Sequence, residues 1–232
     1  MSGSRAAALL ATGAAALAAA PGALAAAPRV PAMVIARDGT RFGPRTVPAG
    51  AARVNACRVQ AGTPLAVLAA FNRAGGPPFR ARGECSALYV FQIGRDRARG
   101  RAGWVYKVGH RLGTTAAADA SGPFGTGRRL RGGQRVLWFW CVAAARCQRT
   151  LEVVRPPRRV RAGRGMRIMV RAYDDNGRGV PARGARVALG RTTAVTGADG
   201  TAVLIARGHG HQTLRAARRG LVPAFPEPVT VG

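Results

Sequence analysis

Four cysteines, three histidines and nine acidic residues are the side chains from which a metal site, a redox pair or an acid–base pair would have to be built. Cys57, Cys85, Cys141 and Cys147 form no Cys-x-x-Cys pair and have no histidine pair beside them. That spacing argues against a thiolate zinc site and against a thioredoxin-like redox motif. His209-Gly210-His211 offers two ring nitrogens without a carboxylate in sequence and reads as solvated turn residues, and His110 falls at a hairpin turn. Asp174-Asp175, followed by Asn176-Gly177, also reads as a turn, because a calcium loop needs more oxygen ligands in phase. The glycine-rich run Gly122-Pro123-Phe124-Gly125-Thr126-Gly127-Arg128 lacks the Lys-Ser/Thr of a phosphate-binding loop. The expectation is a protein that is not an enzyme, with no catalytic residue, no metal and no cofactor.

What remains is aromatic. Two of the three tryptophans, Trp138 and Trp140, lie in "VLWFWC", and the third, Trp104, precedes Tyr106 in "GWVYKVG". Aromatic residues at a spacing of two share one face of a strand, where they are either sheet core or a ligand platform. Trp104 and Tyr106, with arginines nearby, are the candidate ligand-binding pair.

These residues need elements to hold them. Residues 1–25 read as a signal peptide: Arg5, an Ala/Leu-rich stretch broken at Pro21-Gly22, then small residues before a cleavage point near Ala26. The expected mature protein is secreted, extracellular or cell-wall associated, with no transmembrane segment after signal removal. In an oxidising compartment an even set of cysteines is a disulfide framework. Cys57 precedes and Cys85 follows the one convincing helix of the mature chain, so Cys57–Cys85 would clamp that helix. Cys141 ends a strand, and Ala143-Ala144-Ala145 is compact enough to return the chain for Cys141–Cys147.

That helix is announced by Thr63 as cap and Pro64 at its first position, with Leu65, Leu68 and Ala69 giving one apolar face and Gly75 ending it. Ala32–Ala36 reads as a strand turned by Asp38-Gly39, and the stretch with Gly43-Pro44 and Pro48 as a loop. Strands are expected through Ala87–Gly94 and Trp104–Val108, the latter with Trp104, Tyr106 and Val108 on one face and Val105 and Lys107 on the other. In Val136–Cys141 both faces are apolar, so that strand is central or covered on both sides. After Pro156-Pro157 the pattern is all β, short strands between glycine turns, as in a sandwich. The boundary falls near Arg149 to Glu152.

Two phrases carry resemblances. "GTPLAVLAAFNRAG", "GWVYKVGHRLG" and "LRGGQRVLWFW" resemble the transcobalamin C-terminal-like family, a β-grasp-type module, with Gly109-His110 in place of Asn-Gly and Gln134 in place of Asp. The resemblance implies a soluble-ligand-binding scaffold over residues 26–150 and does not extend to a corrinoid ligand. "GVPARGARVALGRTTAVTGADGTAVLIARG" resembles bacterial Ig-like and carboxypeptidase-regulatory-like (transthyretin-like) modules, which implies a non-catalytic spacer or adhesive domain over 151–232. The expected fold is thus mainly β: an α+β β-grasp-like domain with one helix, then an all-β sandwich.

A formal charge of +28, with Lys107 the only lysine, gives two readings. Arginines scattered along the chain match the codon bias of a GC-rich gene, and no nucleic-acid-binding motif accompanies them, so no specific nucleic acid is expected. The first function class is a secreted, non-enzymatic binding or structural protein of a bacterial envelope, its partner an unknown extracellular ligand or envelope polymer. The second is a secreted polyanion binder acting through its arginines. A single basic groove would favour the second.

Overall fold

The computed structural model describes residues 26–143 and 146–232. The leader expected over 1–25 lies outside the described residues, as do Ala144 and Ala145 of the expected turn before Cys147. The chain is mainly β, with nineteen strands and one α-helix among the described residues.

The first half opens with β1 (Arg29–Ile35), β2 (Arg41–Pro48), β3 (Ala52–Val54) and β4 (Cys57–Val59), followed by α1 (Pro64–Arg73). It continues with β5 (Phe79–Arg82), β6 (Tyr89–Ile93), β7 (Asp96–Arg97), β8 (Gly103–Val108), β9 (Arg111–Leu112) and β10 (Val136–Cys141). One mixed sheet runs β2-β1-β10-β8-β9, with β1 and β10 parallel and every other pair antiparallel. A hairpin, a helix and a return strand that pairs parallel to β1 give this half a β-grasp-like order. β10 is the central strand, and all six of its residues are buried.

Two local readings are corrected. The proline-containing stretch Arg41–Pro48 is a strand and not a loop. It lies at the sheet edge, where a missing N–H interrupts no ladder on the open side, and the register slips between Ala32 and Val34 to accommodate it. The helix is also more enclosed than a one-faced amphipathic element. Every residue from Pro64 to Phe71 is buried, because β1 and β2 cover one side and the 113–124 loop reaches over its start, where the Leu65 N–H donates to the Ala117 carbonyl at 2.9 Å. Thr63 caps the helix by accepting from the Ala66 N–H at 3.3 Å.

The second half contains β11 (Thr150–Val154), β12 (Arg159–Val160), β13 (Gly165–Tyr173), β14 (Gly179–Pro181) and β15 (Arg186–Leu189). β16 (Thr192–Val195), β17 (Thr201–Ile205), β18 (Gly210–Ala217) and β19 (Glu227–Val231) complete it. Long β13 pairs with β11, β14 and β17 in one sheet, while the other runs β12-β19-β18-β15-β16. Met166, Ile168, Val170 and Ala172 face inward against Val187, Leu189, Leu214 and Val229, which makes a sandwich with its own core.

A third cluster joins the halves. Met33, Ile35, Leu137, Phe139 and Cys141 line the face of the mixed sheet opposite the helix, and Val222 with Phe225 of the sandwich packs onto it. The second apolar face of β10 is thereby covered by the sandwich. Backbone pairing crosses the same junction: the Leu112 N–H donates to the Asp175 carbonyl at 2.9 Å, and Arg111 bridges to Asn176.

Candidate functional site

Alternation along β8 and β10 puts Trp104, Tyr106, Trp138 and Trp140 on the core side of the mixed sheet. The antiparallel register sets Tyr106 opposite Trp138 and Trp104 opposite Trp140. Trp104 and Trp140 meet edge to face, with centroids 5.7 Å apart at 87°, and Tyr106 tilts over Trp138 at 5.3 Å. Both members of the candidate pair are buried and anchored. The Trp104 indole N–H donates to the Asp96 carbonyl at 2.8 Å, and the Tyr106 hydroxyl donates to the Thr115 carbonyl at 2.9 Å. Burial raises the Tyr106 phenol above its ordinary pKa, so it stays a neutral donor.

Beside this aromatic block lies a cleft of about 200 Å³, walled by Trp104, Tyr106 and Trp138 from the sheet, Leu88 and Val90 near and within β6, and the 112–117 segment. Gly113 lies so close to the Tyr106 ring that a side chain there would displace it. At the rim Tyr89 is exposed, with the Arg82 guanidinium 5.9 Å from its ring centroid. The walls are mainly apolar. Trp138, which contributes to one wall, is 2% exposed, and its indole N–H is closed to solvent and has no acceptor among the described residues.

The cysteines form two bridges, Cys57–Cys85, which closes the loop containing the helix, and Cys141–Cys147, at the junction between the halves. His209 is exposed, and His211 reaches only Thr230, with Nδ1 3.3 Å from its hydroxyl. Among the described residues no three His, Cys, Asp or Glu side chains gather as metal ligands would. No described helix is long and apolar enough to cross a membrane.

Several polar residues take part in the junction instead. Lys107 is fully buried, and its ammonium donates to the carbonyls of Asp174 at 2.8 Å and Tyr173 at 3.2 Å, with Asp175 Oδ1 at 3.6 Å. Burial lowers its pKa, and the Asp175 charge opposes that shift. His110 stacks on Tyr173 with centroids 3.8 Å apart, and its Nε2 lies 3.0 Å from Glu152. The turn Asp174–Gly177 is held by Asp174 Oδ1, which accepts from the N–H groups of Arg178 and Asn176. Those bonds keep its carboxyl below the usual range, the one from Arg178 foremost. Sequence reading places Lys107 and the Asp174-Asp175 turn on separate elements and gives no sign that they meet.

No protein-family model matches the chain, and neither does any curated protein. Among solved structures, the fibronectin(III)-like modules of Clostridium thermocellum CbhA are similar at 11% identity, over 90% of this chain and 90% of that chain, with a TM-score of 0.28. A similarity that low carries no argument.

Proposed function

We propose that the protein is an exported, non-catalytic binding protein in which the aromatic cleft of the first half holds the ligand. Residues 1–25 are the leader, 26–150 a module of the transcobalamin C-terminal-like kind, and 151–232 an Ig-like or transthyretin-like sandwich that presents it at a bacterial envelope. The observation that carries this reading is the unpaired indole N–H of Trp138 beside an apolar cleft. A buried donor without an acceptor costs about 1–3 kcal/mol; the N–H is closed to solvent when the cleft is empty, so a ligand oxygen reaches it through a small shift of the surrounding side chains and recovers that cost.

The cleft also bounds the ligand. Pockets for drug-sized molecules run to roughly 300–1,000 Å³; at about 200 Å³ this one fits a single ring or a short branched chain. The ligand class is therefore a small apolar molecule, or an apolar end group of a larger one, carrying one hydrogen-bond acceptor. Trp104 and Tyr106, their own polar atoms already satisfied, supply walls rather than hydrogen bonds.

Ligand-detected NMR with acetophenone and its hydrocarbon counterpart ethylbenzene tests this. Acetophenone is expected to bind about tenfold more tightly, equivalent to about 1.4 kcal/mol, and Trp138→Phe to abolish that preference. Leu88→Trp, which fills the cleft, is expected to remove both signals. Absence of saturable binding at millimolar concentration, or an unchanged preference in Trp138→Phe, overturns the reading. Export has its own check: N-terminal sequencing of secreted protein is expected to start near Ala26, and an intact Met1 in the membrane fraction overturns it.

A further inference from the structure

The sequence cluster Arg128, Arg129 and Arg131 is joined by Arg111 at one place on the first half. A groove of about 520 Å³ is lined by Arg111, Arg128, Arg129 and Arg131, with Phe124 and Gln134. Among the described residues none of these four arginines lies within ion-pairing distance of a carboxylate, and all four are exposed. The groove is built, not frayed. Arg111 stands on β9, its backbone bridged to Asn176, and its guanidinium stacks 4.6 Å from the Phe124 ring centroid. Buried Leu130 anchors the loop through its N–H, which donates to the Gly62 carbonyl at 2.8 Å. Arg129 Nε donates to the Ala120 carbonyl at 3.1 Å, and Gln134 Oε1 accepts from the Arg131 N–H at 2.7 Å.

We propose that this groove binds an acidic polysaccharide through its oxyanions, uronate carboxylates or sugar phosphodiesters. Arginine's planar fork matches both groups in paired hydrogen bonds, and the Arg111 and Arg129 guanidiniums, already held by Phe124 and the Ala120 carbonyl, have less freedom to lose on binding. The geometry favours a polysaccharide over a nucleic acid. Single strands are held by bases stacking on free aromatic faces, and here the one aromatic ring is half-buried with the Arg111 guanidinium already over it. Nor does the groove present a helix or ribbon to enter a duplex. The groove and the aromatic cleft lie along different stretches of the 113–124 loop, joined where Thr114 N–H donates to Pro123 O. The two sites share no lining residue, so either reading can fail without the other.

Because the whole chain is strongly cationic, the test must separate place from charge. Binding of the full secreted chain to polygalacturonate, phosphomannan and single-stranded DNA is measured at 0.15 M salt, the physiological ionic strength. The comparison is between Arg128→Gln/Arg129→Gln/Arg131→Gln and the equally charged Arg183→Gln/Arg186→Gln/Arg218→Gln on the sandwich. The groove triple is expected to lose at least tenfold in affinity for one of the two polysaccharides, and the sandwich triple less than twofold; whichever polymer responds identifies the oxyanion. In the unmutated protein that polymer is expected to shield Arg128, Arg129 and Arg131 from phenylglyoxal, which tests the site independently of any variant. Equal losses from both triples, no shielding, or tighter binding of DNA governed by the groove triple overturns the proposal.

Discussion

The Lys107 ammonium of β8 donates to the Asp174 backbone carbonyl at 2.8 Å, so the chain's only lysine is buried where the two halves meet. Its position is set by strand alternation: Trp104, Tyr106 and Val108 point into the first core, which turns Val105 and Lys107 toward the sandwich. A long aliphatic stem suits that apolar face, and the turn at Asp174 and Asp175 supplies acceptors for its end.

Lys107→Ala leaves the Tyr173 and Asp174 carbonyls and the Asp175 carboxylate without this donor. The expected loss is about 3 kcal/mol of unfolding free energy, read from the shift in denaturant midpoint. A loss below about 0.5 kcal/mol, within the range of ordinary surface substitutions, would show that the contact contributes nothing net.

The same residue predicts an alkaline dependence. Burial outweighs Asp175 and brings its folded pKa below the ordinary 10.5. Between those two values the unfolded chain holds a proton that the folded chain has released, so unfolding takes up protons. Stability attributable to Lys107 is therefore flat below the folded value and rises with pH through the window up to 10.5. The difference in unfolding free energy between wild type and Lys107→Met should move in favour of wild type across that window. A falling difference would place the folded pKa above the ordinary one.

The junction has an apolar half as well. Val222 is 4% exposed against Phe139 and Leu137 in the third cluster. Val222→Asp is expected to part the halves, because burying an unpaired carboxylate there costs more than the contact returns. Limited proteolysis should then cut between Gln148 and Arg159 at least tenfold faster than in wild type, while each half keeps its own core. An unchanged cleavage rate would mean that the halves are held together elsewhere.

The disulfides should differ in what they stabilise. Cys57–Cys85 spans a sequence separation of 28 and Cys141–Cys147 one of 6. On the chain-entropy model, removing the first by paired Cys→Ala costs roughly 3.5 kcal/mol and the second about 2. Equal losses in chemical denaturation would point to native packing around the bridges as the controlling factor.

Trp138→Phe keeps the ring stack with Tyr106 and deletes the unpaired N–H. Without ligand its stability is expected to fall by only about 1–2 kcal/mol, because relief of the unpaired N–H offsets part of the cost of the void left by the smaller ring. A loss beyond about 3 kcal/mol would show that the N–H already has an acceptor in solution, which would remove the main support for the cleft as a binding site.

The sequence by itself determined the secondary pattern and the fold class, because those follow from local rules. Period-two alternation sets the faces of β8, β10 and β13, Thr63-Pro64 starts the only α-helix among the described residues, and glycine turns space the sandwich strands. It also marked β10 as central or covered on both sides, since "VLWFWC" has no polar face, but not what covers it. The edge strand Arg41–Pro48 was hidden because prolines count against a strand unless its open side is known, and that is a property of the sheet. Only tertiary structure brought Val222 and Phe225 onto β10, Lys107 to Asp174, and Arg111 beside Arg128, Arg129 and Arg131. The unpaired Trp138 N–H belongs to the same class. Each is a meeting, or a failure to meet, between groups far apart in the chain, and no local periodicity encodes such a distance.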